Sequence, residues 1–382
     1  MTGWIYGFAL IATIASVTYG AGPFIAGIFG IESSQNSTIA LAIALILIVT
    51  VINLGGTKLL GRVAFFGFVA ELVGALIVGG VLLTTHREQS WGVIFDTSFI
   101  TSGGTSYSTA FMGAALIGLY LYYGFEACGD VAEEVMNPGL VIPKAMRMTL
   151  YIGGAASLFI TYALILSVAD IGAVISGDNA DPIGQSLTEA FGSTGSRAIE
   201  AIVVISFFSC ALSLQAAASR LIYSYARDEM IFARHALSRI NTSTGIAPVA
   251  LAVSAVLPII SVLLDLVLPG GIFRLVAFAS GGIYIAFQMV VFAALRARLS
   301  GWKPGGKWTM GGAGLIVNVV ALAYGLFAIY LMLKSYGIPD ASFVDNYIVL
   351  VEVLIVVVTG LVYMLASGAH KKSDAPHGDA LR

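Results

Sequence analysis

The stretch Leu119-Tyr-Leu-Tyr-Tyr-Gly-Phe-Glu-Ala-Cys-Gly-Asp-Val-Ala-Glu-Glu-Val-Met-Asn-Pro138 begins as an apolar membrane span and ends in acids and a proline. Gly124 and Glu126 fall partway along it. A helix built only to cross lipid has no use for either. Irregular backbone at membrane depth is tolerated only where protein buries it or where it lines a cavity. Discontinuous helices of this kind hold substrate and coupling ions in transporters. The segment points to a solute carrier.

The rest of the chain agrees on class. Its 382 residues are 58% hydrophobic and 10% charged, with a mean hydropathy of +0.93. Soluble domains carry roughly 25% charged residues, so the chain reads as an all-α polytopic membrane protein. A net charge of −2 gives no sign of a nucleic-acid partner. Cys128 and Cys210 sit in apolar stretches and read as small buried hydrophobes. His86, His235, His370 and His377 lie in loops or the tail without motif spacing. No disulfide framework, metal pattern, cofactor motif or catalytic constellation is expected.

Apolar runs near membrane length predict about ten spans, near Gly3–Ile28, Thr38–Leu54, Val63–Leu83, Ala110–Cys128, Leu150–Val168, Ala198–Ala218, Val249–Leu268, Phe273–Leu295, Gly311–Leu333 and Tyr347–Leu365. The long apolar run directly after Met1 has no basic flank, so no signal peptide is expected. One set of loops, with the tail, carries fifteen Lys and Arg; the other carries only Arg87, Arg197, Arg274 and Lys334. That bias places both termini in the cytoplasm. Three connections are too long for simple turns. The external Thr84–Thr109 loop reads as a solvated flap, and the external Asp170–Gly195 segment holds a short helix at Leu187–Phe191. The internal Arg220–Pro248 stretch starts as a helical continuation and ends in a turn cluster. The tail from His370 to Arg382 is polar and expected to be disordered.

Gly124 lets the backbone take angles closed to other residues and lets a ligand come close to the main chain. It would equally permit tight helix packing. Tyr120, Tyr122, Tyr123 and Phe125 around it favour a site, because aromatic faces close over amines through cation–π contact. Glu71 lies mid-span, where an acid costs about 2.5–3.5 kcal/mol on insertion scales. Together with Glu126 it is a candidate proton carrier. Glu352, in the last span, has no other signal around it and reads as structural. Arg220 and Arg227 are seven apart and share a helical face. They are candidates for a cytoplasmic latch with Glu133 and Glu134, or for lipid-headgroup anchors.

The run YYGFEACGDVAEEVMNPGLVIPKAM resembles the sixth helix and following loop of amino acid permeases of the amino acid–polyamine–organocation superfamily. The later run LQAAASRLIYSYARDEMIFARHALSRI resembles that family's eighth helix and cytoplasmic loop. Both are nearest in character to its GABA/choline-type branch. The resemblance implies a leucine-transporter-like fold of twelve helices, the first ten forming two inverted five-helix repeats. Substrate then sits between the broken first and sixth helices. Gly124 matches the glycine of the sixth-helix break, Tyr120 a frequent gating aromatic, and Glu126 an acid two places after that glycine. Glu71 stands where some proton-coupled relatives carry a lysine.

On this alignment the first span corresponds to the family's third helix, so the two preceding helices are expected to be missing. Residues 1–84 would then be the remainder of the first repeat, 110–300 the second repeat, 311–365 two extra helices and 370–382 a cytoplasmic tail. The function expected is secondary transport, at the cell membrane, of an amino acid or related amine. Proton symport and substrate exchange are both open. A non-transporting permease fragment or scaffold is the alternative.

Overall fold

The computed structural model describes residues 1–98, 107–179, 181–267, 271–306, 308–334 and 342–371. The centre of the expected flap, Lys307 and the tail from residue 372 lie outside them. Among the described residues the chain forms helices α1 (Thr2–Phe29), α2 (Gln35–Leu54), α3 (Thr57–Thr85), α4 (Tyr107–Leu121) and α5 (Ala127–Asp130). There follow α6 (Pro138–Ser167), α7 (Ile171–Ser176), α8 (Pro182–Arg227) and α9 (Arg234–Leu237). The last group is α10 (Pro248–Leu263), α11 (Gly271–Leu299), α12 (Ala313–Leu333), α13 (Phe343–Asn346) and α14 (Ile348–Ser367).

Nine of these, among the described residues, are long and apolar enough to cross a membrane. With α4 they are the ten spans expected. Two boundaries differ in an informative way. The fourth span stops at Leu121, seven residues before the predicted end, because the backbone breaks ahead of Gly124. The predicted sixth span and the short helix before it join into α8, interrupted only at Gly192 (φ 67°, ψ 174°).

α1 is the axis of the bundle. Two thirds (67%) of its best apolar window is enclosed by protein, against 11% for α6. Its small and branched residues Ala9, Leu10, Ile14, Ala15 and Ala21 are fully buried, largely against α8 and α11. On α3, Gly67 faces Ser209 and Gly74 faces Ile202 so closely that an added Cβ would collide. Small residues at such crossings let membrane helices approach without a hydrophobic driving force.

Two polar clusters fasten this scaffold. Fully buried Gln215 on α8 accepts from the Asn53 amide at 3.0 Å and donates to Thr50 at 2.7 Å, tying α8 to α2. At the opposite end Asp265, only 2% exposed, joins three helices. Its carboxylate accepts from the Tyr19 hydroxyl (2.9 Å), the Gln35 amide (3.0 Å) and the Ile272 backbone N–H (3.3 Å). In hydrocarbon such bonds matter because the alternative is an unsatisfied polar group.

Candidate functional site

The break lies between α4 and α5. Residues Tyr122–Glu126 leave the helix, and Gly124 takes φ +100°, a left-handed value that favours glycine. The Gly124 N–H donates to its own neighbour, the Glu126 Oε2, at 2.8 Å. The Tyr123 and Phe125 amides donate to no acceptor among the described residues. A Cβ built on Gly124 would meet nothing within 4 Å, so space adjoins the main chain there. Free amide donors beside open space are what a carboxylate needs.

The aromatics divide. The Tyr120 and Tyr123 rings meet edge to face at 5.3 Å, and the Tyr123 hydroxyl lies 3.4 Å from Thr13 Oγ1 on α1. Phe125 turns the other way, onto Phe287 of α11 at 5.4 Å, with Tyr284 behind it at 5.8 Å from Phe287. Tyr122 leaves the group and lies over Gly154 of α6, 43% exposed. The four stand together in the sequence, but the end of the helix at Leu121 and the left-handed turn at Gly124 send them to three different helices. Thr13, Tyr284 and Phe287 were missed, because a lone Thr or aromatic inside an apolar span has no sequence signature of its own.

Glu71 sits midway along α3 as an exposed residue, and among the described residues no contact or electrostatic interaction joins it to Glu126. It lies instead within electrostatic range of Cys210 on α8, which also faces Tyr120 and Tyr123.

Beyond the break, the turn after α5 carries Glu133 and Glu134 to the end of α8. Arg220 donates to Glu134 through two nitrogens, at 2.8 and 3.3 Å, and Thr57 at the start of α3 donates to the same carboxylate at 2.5 Å. Arg227 donates to both oxygens of Glu133 at 2.9 Å and also pairs with Asp228 at 3.0 Å. The inner pair is the better enclosed, Arg220 being 11% exposed and Arg227 41%. A cavity of about 450 Å³ adjoins the Arg220–Glu134 pair, lined by Asp130, Glu133, Glu134, Arg220, Ser224 and Ile246. Asp130 itself accepts from the Tyr6 hydroxyl of α1 at 2.8 Å. Neither Tyr6 nor a buried role for Asp130 was legible in the sequence, where Asp130 looked like one more acid of a solvated connector.

Residues 1–358 match the family model for amino acid permeases. The chain belongs to that family. It is 29% identical to the serine/threonine exchanger SteT of Bacillus subtilis over 79% of this chain and 66% of the relative. It is 26% identical to the putative amino acid/polyamine transporter MPH_07630_2 of Macrophomina phaseolina over 70% of this chain and 58% of the relative. With the amino-acid permease BAT1 of Arabidopsis thaliana it shares 23% identity over 97% of this chain and 75% of the relative. The chain thus spans less than two thirds of the length of the first two. Family membership and a multi-pass membrane setting agree with the resemblance drawn from the two motifs, and with a permease rather than an enzyme.

Proposed function

We propose that this permease chain is a secondary active transporter for an amino acid or a related amine, working by alternating access and coupled to protons. One observation carries the reading: a membrane span that breaks at Gly124 and leaves amides facing open space. Hydrogen-bond donors without partners are costly at membrane depth unless a ligand or water meets them. A carboxylate bound there accepts from the Tyr123 and Phe125 amides, while the Tyr120–Tyr123 pair offers aromatic faces to an ammonium group. Tyr122 and Phe125 brace the break against α6 and α11.

The Arg220–Glu134 and Arg227–Glu133 pairs act as a cytoplasmic latch. They join the segment that carries the break to α8, so opening towards the cytoplasm requires parting them. The bias of Lys and Arg supports cytoplasmic termini in a cell membrane. Residues 1–84 and 110–300 then belong to two inverted repeats, with 311–365 added outside them.

The test is uptake by purified protein in liposomes, using a radiolabelled panel of amino acids and amines over a range of pH. Accumulation of at least one solute above protein-free liposomes is expected. No binding and no movement of any member of the panel would sink the reading.

A further inference from the structure

We propose that Glu126 and Asp130, bridged by the Tyr6 hydroxyl, share one proton, and that this carboxyl pair rather than Glu71 is the coupling site of the permease chain. The coupling role rests on the transport reading above; the shared proton does not.

The geometry begins with spacing. Glu126 and Asp130 are four residues apart on a single helical turn, closed by the Gly129 N–H on the Glu126 carbonyl at 2.7 Å. Side chains so spaced are neighbours on one face. Asp130 accepts from the Tyr6 hydroxyl at 2.8 Å, and Tyr6 lies within electrostatic range of Glu126 as well. Glu126 accepts from the Gly124 N–H at 2.8 Å. Among the described residues neither acid is in an ion pair. Arg220, the cation on the wall of the same cavity, is held by Glu134.

Two carboxylates enclosed together, without a cation and with few donors, do not both stay ionised. One proton between them removes the repulsion and belongs to the pair rather than to either residue. Asp130 follows the fourth span, and burial is the main reason its carboxyl is pushed up to about 7; the Tyr6 hydrogen bond opposes that rise and the Glu126 charge adds to it. The other groups facing the pair do not relieve it. On its own segment stands Cys128, from α8 Tyr225 faces Asp130, and from α11 Tyr284 faces Glu126. α6 brings Met146 against Gly129. Across the cavity are Glu133 and Glu134, each already bound to an arginine.

The position suits coupling. Glu126 holds the amide of Gly124, so a change of charge on the pair is felt at the break itself. Tyr6 belongs to α1, the enclosed axis of the bundle, so its bond to Asp130 links the broken span to the scaffold. Asp130 lines the cavity, which offers water a path to the proton. Glu71 has none of these connections.

Infrared difference spectroscopy of the purified chain in lipid, titrated from mildly acidic to mildly alkaline pH, tests the shared proton directly. A protonated-carboxyl C=O band that titrates is expected. Asp130→Asn and Glu126→Gln should each remove it, Tyr6→Phe should shift its frequency, and Glu71→Gln and Glu352→Gln should leave it in place. The amide variants keep shape and hydrogen-bond acceptors, and Tyr6→Phe provides a second handle if one of them folds poorly. A band untouched by both Asp130→Asn and Glu126→Gln, or lost in Glu71→Gln, overturns the pair. Uptake into liposomes separates the two levels. If no amino acid moves while the band behaves as stated, the transport reading falls and the shared proton stands. If uptake occurs, its ratio between acidic and alkaline pH should collapse to about one in Asp130→Asn and Glu126→Gln; a ratio unchanged from the parent chain overturns the coupling role.

Discussion

Asp265 and the Glu126–Asp130 pair are both enclosed acids near opposite ends of the bundle, and their surroundings differ completely. Asp265 receives a hydroxyl, a side-chain amide and a backbone N–H from three separate helices. Glu126 and Asp130 draw on backbone amides and on one tyrosine hydroxyl that they share, and each lies within electrostatic range of the other. A carboxylate with several donors is a fixed charge and a fastening. A pair left short of donors is free to take up and release a proton. The same division runs through the whole molecule. α1, α2, α8 and α10 are joined by buried side-chain hydrogen bonds, while the segment from Tyr122 to Asp130 leaves backbone donors unfilled.

That contrast can be broken in order of expected effect. Asp265→Ala strips the acceptor from three donors at once and should cost about 3 kcal/mol, read as a large drop in the Tm of the purified chain. Arg220→Ala should cost about 1–2 kcal/mol because Glu134 and Thr57 lose an enclosed partner, whereas the more exposed Arg227→Ala should cost under ~1 kcal/mol. Their ratio is measurable by thermal unfolding of the two variants side by side. Gln215→Leu should loosen α8 from α2 by about 1 kcal/mol, in line with polar contacts between membrane helices. Asp130→Asn should change stability least, within ~0.5 kcal/mol, since it removes repulsion along with a hydrogen bond. A fall in Tm as large as that of Asp265→Ala would place Asp130 among the fastenings instead.

Fold and site were unequally legible in the sequence. The spans were readable because each is a long apolar run between charged or glycine-rich joints, and the break was readable because Gly124 and Glu126 interrupt such a run. That Arg220 and Arg227 share one face was readable from their seven-residue spacing, but which of them meets Glu134 and which Glu133 comes from the structure alone. What could not be read was which helix each group meets. Tyr6 and Asp130 are 124 residues apart, Phe125 and Phe287 lie on α5's approach and on α11, and no local period encodes such contacts. Tyr122 shows the converse limit: adjacency in sequence to Tyr123 did not make it a partner, because the helix ends at Leu121 and Tyr122 packs over Gly154 of α6.

Gly124 is where the account is most exposed to test. Its φ of +100° makes any side chain strained there, by roughly 1–2 kcal/mol, while the space around it would accept a Cβ without collision. The decisive measurement is liposome uptake of whichever labelled amino acid or amine the parent chain accumulates, made on Gly124→Leu with its Tm recorded alongside. The result expected is loss of uptake with the fold retained, since leucine fills the space beside the free amides. Uptake at the level of the parent chain would contradict the account and leave Gly124 as a packing residue.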